Sequence, residues 1–292
     1  MTMAEAIRRF VPDRSTVALG LALEPLIPFA AGHEIIRQER RDLELVGPIS
    51  DALFDQLIGA GCVRRVTAAW VGNVSEGLGH CYRRACESSD PRPLEVHDHS
   101  NFSISLALWA AAWNVPSLPA RTLLGSDILR TNPGLSVSGG LVHVEAIKPD
   151  VAIVHVQRAD AMGRAHAWGP LGVVEEAGLA ADGVVLSCEE LVDSSVTLSD
   201  PNRILFPETK VVAVVHEPGG AHPSPVQGYF RRDHACYRAY AEESRSAGGY
   251  RAWLSRWVLE VPDRSTYMGM IDAASLRIGR HRLSAPVDYG DE

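Results

Sequence analysis

The sequence predicts an α/β fold in which a mainly parallel sheet carries helices on both faces and a helical portion follows at the C-terminus. Short apolar runs alternate with helix-like patterns up to residue 215, and residues 151–157 form an almost unbroken apolar, β-branched run. Such alternation is typical of β-α-β units, and a continuously apolar strand indicates burial on both faces. From residue 230 onward the patterns are helical, which indicates a C-terminal cap.

Each element is predicted from its own pattern. In chain order, the first half gives a strand at 16–20, a helix through 34–38, a strand at 42–46, and helices at 51–58 and 78–87 flanking a strand at 63–71. The second half gives a helix at 101–113, strands at 151–157, 184–188 and 211–215, and helices at 175–181, 231–244, 250–259 and 266–276. Because no linker rich in Pro, Gly or Ser divides the chain, we expect residues 1–292 to form one domain with a helical portion at about 230–292.

Composition excludes several classes of function. The 292 residues are 46% hydrophobic and carry a formal net charge of −8, so no basic face for nucleic acid is expected. Residues 1–10 resemble a short amphipathic helix rather than a signal peptide, and the apolar stretch at 17–32 is interrupted by Glu24, Pro25 and Pro28. We therefore expect a cytoplasmic protein with neither a nucleic-acid partner nor a membrane partner.

The five cysteines do not indicate a disulfide framework or a zinc site. Their number is odd and no C-x-x-C pair occurs among Cys62, Cys81, Cys86, Cys188 and Cys236. Reduced, mostly buried thiols in a cytoplasmic protein are the interpretation that fits, and we expect no metal.

Two loops in the first half are candidates for binding a ligand. Gly20 ends the first predicted strand and leads into Leu21, where a glycine allows close backbone approach and free N–H groups can hold an anion. Asn73 and Ser75 lie in a glycine-rich loop after the third strand, at the edge where open α/β sheets bind ligands. Glycine in an ordinary turn is an equally good interpretation of the first loop, and Glu76 fits either acid/base chemistry or a helix-dipole role.

Three further segments carry polar groups. His97-Asp-His99 lacks a third convergent ligand for a metal, so we expect a helix start in which Asp98 or Ser100 caps the helix at Asn101. Within the apolar strand, Gln157 is a ligand candidate and His155 is more simply a hydrogen-bonded core residue. The pair Glu189-Glu190 fits either acid/base chemistry or a solvated helix start.

The loop at 217–230 has the composition that is least typical of a simple connecting segment. It combines several glycines and prolines with polar side chains, which favours a shaped, non-repetitive loop over a simple connection. Its candidate binding residues are Gly219, Gly220 and His222, with Ser224 and Gln227 beside them.

Taken together, these segments resemble the α (A) subunit of family I CoA-transferases, especially the glutaconate CoA-transferase branch. The resemblance extends from Val17-Ala-Leu-Gly20 to about Trp257. The segments that carry it are Glu34-Ile-Ile-Arg-Gln38, Leu57-Ile-Gly-Ala-Gly61, Pro149-Asp-Val-Ala-Ile-Val-His-Val-Gln-Arg-Ala-Asp160 with Gly163, Ser187-Cys-Glu-Glu190, and Gly219-Gly-Ala-His-Pro-Ser224. The resemblance implies an open parallel sheet of the CoA-transferase and ribose-isomerase type.

The resemblance also implies how the protein works. In this family the thioester is attacked by a glutamate of the β subunit, which forms a glutamyl-CoA intermediate, and CoA then passes to a second carboxylate. No catalytic residue is thus expected on this chain, which would bind acyl-CoA and carboxylic acid substrates through Gly20, Leu21, Asn73, Ser75, Asn101, Gln157, Gly219, Gly220 and His222. Coenzyme A is expected as part of the substrate and no cofactor as a permanent one, in an α2β2 complex with a β subunit.

Two departures from the family pattern bear on the reaction. Where the family usually continues Gly-Phe after Gly20, this chain has Leu21-Ala22, so an oxyanion role would rest on the backbone alone. Related hydrolases that open a steroid-derived ring on CoA place a catalytic glutamate where Asn101 aligns, and an amide cannot act as a general base. Two alternatives to the transferase stand: the α subunit of a CoA-ester hydrolase, or a non-catalytic subunit that binds acyl-CoA.

Overall fold

The apolar runs of the sequence form the strands of the computed structural model, which describes residues 1–278. Within that range the strands are, in chain order, β1 (Thr16–Ala18), β2 (Leu43–Val46), β3 (Val63–Ala68), β4 (Gly72–Asn73), β5 (Gly77–Leu78), β6 (Glu95–Asp98), β7 (Ser117–Ala120), β8 (Leu135–Ser138), β9 (Leu141–Glu145), β10 (Val151–Asp160), β11 (Ala165–His166), β12 (Gly183–Val192) and β13 (Val211–His216). Each strand that we predicted in the sequence is present.

The central sheet has the order β13-β12-β10-β1-β2-β3-β6, and all of these neighbours are parallel. Strand β11 adds an antiparallel pairing to β10. The chain builds the sheet from β1 outward through β2, β3 and β6, and then returns to the other side of β1 with β10, β12 and β13. The topological switch point therefore lies between β1 and β10, and open sheets bind ligands outside the carboxyl ends of the strands at such a point.

Helices cover both faces of the sheet, as predicted. In chain order they are α1 (Met3–Phe10), α2 (Phe29–Arg37), α3 (Ala52–Gly59), α4 (His80–Ser88), α5 (Asn101–Ala112), α6 (Asp127–Thr131), α7 (Val174–Ala180), α8 (Ser194–Leu198), α9 (His234–Ser244), α10 (Ala247–Leu254), α11 (Arg264–Gly269) and α12 (Ala273–Leu276). Alternate residues of β10 face opposite cores: Ile153 packs with α2, α3 and the C-terminal helices, and Val154 packs with α5 and α7. This two-sided burial explains the continuous apolar run of the strand.

The C-terminal helices complete the core on the α2 and α3 side. Tyr237, Tyr240, Tyr250 and Trp253 are each at most 5% exposed and belong to that core. The predicted helix at 250–259 is α10 continued by one π-helical turn at Ser255–Leu259, and the predicted helix at 266–276 is split into α11 and α12. The remainder of the predicted helical portion, residues 279–292, lies outside the described residues.

The structure differs from the sequence interpretation, or adds to it, in three places. Residues 117–145 contain a three-stranded antiparallel sheet in the order β7-β9-β8, which the sequence did not suggest. The pair Glu189-Glu190 begins no helix but continues β12, because this strand stays paired with β10 as far as Val192. His97 and Asp98 belong to the edge strand β6, although Ser100 does cap α5 as expected.

Candidate functional site

The loop after β1 lies at the topological switch point, and Gly20 shapes it. Gly20 has a φ of +67°, and a Cβ atom added there would lie 2.3 Å from the hydroxyl of Ser50. That hydroxyl donates a hydrogen bond to the Leu19 carbonyl at 3.2 Å. The position therefore requires glycine both for its left-handed backbone and for the close approach of the β2–α3 loop.

Leu21 is fixed through its main chain. Its carbonyl accepts a hydrogen bond from the N–H of Val173 at 2.9 Å, and its side chain is buried. Among the hydrogen bonds found within residues 1–278, none is donated by the N–H group of Gly20 or of Leu21. Unpaired buried N–H groups are uncommon in proteins, so this loop has the donor groups that an anionic ligand needs.

The predicted loop around Asn73 and Ser75 forms the β4–β5 hairpin at the carboxyl end of β3. The Asn73 amide donates to the Tyr237 carbonyl at 2.9 Å and accepts from the Ser75 N–H at 3.3 Å, so it is engaged by the protein itself. Ser75 is exposed, and its hydroxyl accepts a hydrogen bond from Arg232 at 3.1 Å. Of the two candidates, Ser75 is the one that faces solvent.

Gln157 lies in the carboxyl-terminal half of β10, the strand beside the switch point. Its amide donates to the Trp168 carbonyl at 2.9 Å and accepts from the Trp168 N–H at 3.3 Å. Both amide atoms are thus used to hold the backbone of the segment after β11.

Asn101 lies apart from the loop after β1. It is the exposed first residue of α5, which follows the edge strand β6. That strand is three positions from β1, or about 14 Å at the usual strand spacing.

The loop with the sequence Gly-Gly-Ala-His-Pro-Ser packs against the loop after β1. The hydroxyl of Ser224 bonds the Glu24 carbonyl and accepts from the Ile27 N–H, and the Leu26 N–H donates to the Pro225 carbonyl. The structure therefore brings the predicted Gly20 and 219–224 segments together.

His222 is buried in this loop and is held on both sides of its ring. Its Nδ1 lies 3.0 Å from the Tyr267 hydroxyl and its Nε2 lies 3.1 Å from an Asp233 carboxylate oxygen. Burial lowers the pKa of His222, while the hydrogen bond with Asp233 acts in the opposite direction. A neutral imidazole in such contacts serves to shape the loop.

Behind the loop, His155 and Glu189 form a buried hydrogen-bond network. His155 bonds Ser187 at 2.9 Å and Glu189 at 3.0 Å, and the other Glu189 oxygen accepts the Gly219 N–H at 2.8 Å. The interpretation of His155 as a hydrogen-bonded core residue is confirmed. Glu189 holds Gly219 in place. The segment at 187–190, one of those that carry the resemblance, therefore supports the 219–224 loop.

Comparison with known proteins settles the relationship of the chain. The family model described as Coenzyme A transferase matches residues 1–217. The chain belongs to the coenzyme A transferase family. The predicted resemblance is therefore confirmed, and the fold agrees with that assignment.

Specific relatives of this CoA-transferase chain extend the match to nearly its whole length. The α (A) subunit of 3-oxoadipate CoA-transferase from Pseudomonas knackmussii is 38% identical over 93% of this chain and 97% of its own length. The α (A) subunit of glutaconate CoA-transferase from Acidaminococcus fermentans is 28% identical over 94% of this chain and 92% of its own length. The crystal structure of glutaconate coenzyme A-transferase from the same organism superimposes with a TM-score of 0.88 at 27% identity, covering 96% of this chain and 97% of that one.

A more distant relative is named for a different reaction. The cholesterol ring-cleaving hydrolase IpdA subunit of Mycobacterium tuberculosis is 27% identical over 79% of this chain and 83% of its own length. The higher identity and the fuller coverage both favour the transferases, so this chain is the α (A) subunit of a CoA-transferase.

Two arginines that sequence reasoning missed also shape the site of this CoA-transferase chain. Arg264 is buried and donates to the carbonyls of Gly219 at 2.8 Å and His222 at 2.5 Å. Arg232 pairs with Asp51 at 2.6 Å. Their partners lie more than forty residues away in the chain, so no local pattern indicates these contacts. Among the described residues, no group of three or more His, Cys, Asp or Glu side chains could hold a metal ion.

No helix within residues 1–278 has both the length and the apolar character needed to cross a lipid bilayer.

Proposed function

We propose that this chain is the α subunit of a heteromeric enzyme that transfers CoA between carboxylic acids through a glutamyl-CoA intermediate on a β subunit. The observation that carries the proposal is the 38% identity to the α (A) subunit of a 3-oxoadipate CoA-transferase, which spans both chains almost end to end. Glutaconate, named for the second relative, is a dicarboxylic acid like 3-oxoadipate. We therefore propose a dicarboxylic acyl group as the substrate class.

The chemistry divides one difficult exchange into easier steps. The thioester carbonyl is attacked by a glutamate carboxylate of the β subunit, which releases CoA thiolate and leaves a mixed anhydride. The thiolate then attacks the glutamyl carbonyl and releases the first acid. The second acid repeats these steps in reverse and leaves as its CoA ester, with the glutamate restored. CoA enters as part of the substrate, and the reaction requires no other cofactor.

The geometry supports a binding role for this chain. Each attack places negative charge on a carbonyl oxygen, and the unpaired N–H groups of Gly20 and Leu21 are suited to stabilise it without a specific side chain after Gly20. The buried Asp51 carboxylate is paired with Arg232. The buried Glu189 carboxylate is bonded by His155 and by the Gly219 N–H. Carboxylates that are occupied in this way position other groups and are poorly suited to act as nucleophiles. This supports a nucleophile on the partner subunit.

A hydrolase acting on a ring-derived acyl-CoA is the second candidate, because the IpdA subunit is also similar to this chain. Asn101 argues against it, since an amide cannot take a proton from water. The β subunit distinguishes the two candidates: a nucleophilic glutamate supports the transferase, and its absence supports the hydrolase.

The test combines this chain with its β subunit, in the expected α2β2 complex, and uses succinyl-CoA as donor with a dicarboxylic acid as acceptor. We expect ping-pong kinetics from the complex and no transfer by this chain alone. Intact-mass spectrometry after incubation with donor alone should show a CoA adduct on the β subunit. An adduct on this chain, or rapid transfer by this chain without a partner, would contradict the proposal.

A further inference from the structure

The guanidinium of Arg232 joins two segments that border the carboxyl edge of the sheet. Its Nη1 lies 2.6 Å from a carboxylate oxygen of Asp51, and its Nε donates to the Ser75 hydroxyl at 3.1 Å. The group also lies 3.8 Å from the centre of the Tyr237 ring. The Arg232 side chain is 9% exposed and that of Asp51 is fully buried. An ion pair this buried is held in one geometry, because moving either charge away would leave the other unpaired.

Asp51 links the β4–β5 hairpin to the residue that packs beside Gly20. Its second oxygen accepts the Val74 N–H at 2.9 Å, which fixes the β4–β5 hairpin. On the other side, Asp51 follows Ser50, whose hydroxyl bonds the Leu19 carbonyl and fills the space beside Gly20. Asp51 has a φ of +48°, a left-handed conformation that is rare for residues other than glycine.

The hairpin is therefore held at three consecutive residues. The Asn73 amide bonds the Tyr237 carbonyl, the Val74 N–H bonds Asp51, and the Ser75 hydroxyl bonds Arg232. The last contact is the one that fixes the orientation of an exposed polar side chain. Since Tyr237 and Arg232 are brought by the C-terminal part of the chain, this part sets the position of the hairpin.

We propose that Arg232 is a positioning residue that fixes the Ser75 hydroxyl relative to the Gly20 loop and so sets the acyl side of the substrate site. This inference rests on the proposed function, because it assumes that the two loops border the acyl group. A guanidinium can serve Asp51 and Ser75 at once through separate N–H groups, whereas an ammonium has one nitrogen to place.

The first test is Arg232→Lys in the complex with the β subunit, which keeps a positive charge beside Asp51. We expect the KM for the dicarboxylic acid to rise on the order of 10-fold, because a loosened hairpin misplaces Ser75. The thermal midpoint should change little. Arg238→Lys, on the exposed side of α9, is the matched control and should leave KM unchanged.

Ser75→Ala is the second test, and it leaves the Asp51 ion pair intact. If Arg232 acts through Ser75, this variant raises KM to a similar extent, and Arg232→Lys with Ser75→Ala raises it no further than either alone. Unchanged KM in both single variants, or effects that multiply in the double variant, would overturn the proposal.

Amide hydrogen exchange on this chain alone separates this inference from the proposed function. Arg232→Lys should speed exchange at Val74 and Ser75, whatever reaction the enzyme catalyses, and unchanged exchange there would overturn the positioning role. Absence of transferase activity in the unmodified complex would instead overturn the proposed function, and the exchange result would still decide the role of Arg232.

Discussion

Two leucines in the loop after β1 have left-handed backbone conformations. Leu23 and Leu26 have φ values of +74° and +58°, a conformation that costs a bulky residue about 1–3 kcal/mol. The strain persists because the 219–225 segment holds this loop: Pro225 accepts the Leu26 N–H, and Ser224 bonds the chain at Glu24 and Ile27. Strained residues that their neighbours hold so firmly cluster at functional sites, which supports a binding role for this loop.

A single histidine gives a testable dependence of stability on pH. His99 is 4% exposed, its Nδ1 lies 3.0 Å from the Ser103 hydroxyl, and burial lowers its pKa from 6.5 to about 4. Below pH 6.5 the unfolded chain therefore binds a proton that the folded chain does not bind until about pH 4. The contribution of neutral His99 to stability is complete above pH 6.5 and is lost as the pH falls toward 4, by about 1.4 kcal/mol per pH unit.

We expect His99→Gln to make the free energy of unfolding less sensitive to acid by this amount, because glutamine does not titrate. Urea unfolding at pH 7, 6 and 5 gives the free energy of unfolding of both proteins as a function of pH. The difference between the two pH slopes reports the single proton that His99 binds in the unfolded chain. Parallel slopes for the two proteins would show that His99 does not take up a proton on unfolding.

At the scale of elements, strong periodic patterns could be predicted and weak ones could not. The predicted helix at 101–113 is observed as Asn101–Ala112, because a serine cap precedes a long apolar run. The edge strand β6 was missed because it is short and has the exposed, charged residues Glu95 and Asp98 at its two ends. Strand β8 was missed for a similar reason, since its residues after Leu135 are exposed.

The candidate site was only partly predictable for a different reason. The Gly20 and 219–224 loops carry glycine, proline and polar residues whose local pattern marks a shaped loop, and the structure brings them together. The sequence does not show that the amides of Asn73 and Gln157 are used by Tyr237 and Trp168. Long-range contacts of this kind depend on the tertiary fold.

The contacts of α9 and α10 with α3 provide a prediction at the scale of elements. The Tyr240 hydroxyl donates to the Asp55 carboxylate at 2.6 Å, and the Tyr250 hydroxyl donates to the Gln56 carbonyl at 2.6 Å. Burial raises the pKa of Asp55, and the bond from Tyr240 opposes that rise. We expect Tyr240→Phe to lower the free energy of unfolding by about 2–3 kcal/mol, because a buried carboxyl loses a donor.

Tyr250→Phe is the matched comparison, since it removes a hydroxyl of equal burial from a neutral acceptor. Its expected cost is about 1 kcal/mol. Chemical denaturation of both variants at pH 7 measures the difference. Equal losses would show that the carboxyl group of Asp55 gives the Tyr240 bond no additional strength.

At the scale of the whole molecule, the core extends beyond the part that the family model matches. That match ends at residue 217, whereas Tyr237, Tyr240, Tyr250 and Trp253 belong to the same core as α2 and α3. Arg264 also reaches back to the Gly219 and His222 carbonyls. The C-terminal helices are therefore part of the folded unit that holds the site.

We expect a chain truncated after Glu217 to lose cooperative folding. Each large aromatic side chain buries about 150–250 Å², which at about 25 cal/mol per Å² contributes roughly 4–6 kcal/mol. Losing four of them removes more than the 5–15 kcal/mol by which domains are typically stable. Calorimetry and near-ultraviolet circular dichroism of the truncated and full-length chains check this expectation. A sharp unfolding transition in the truncated chain would show that the first 217 residues form a core of their own and that the C-terminal helices are an addition to it.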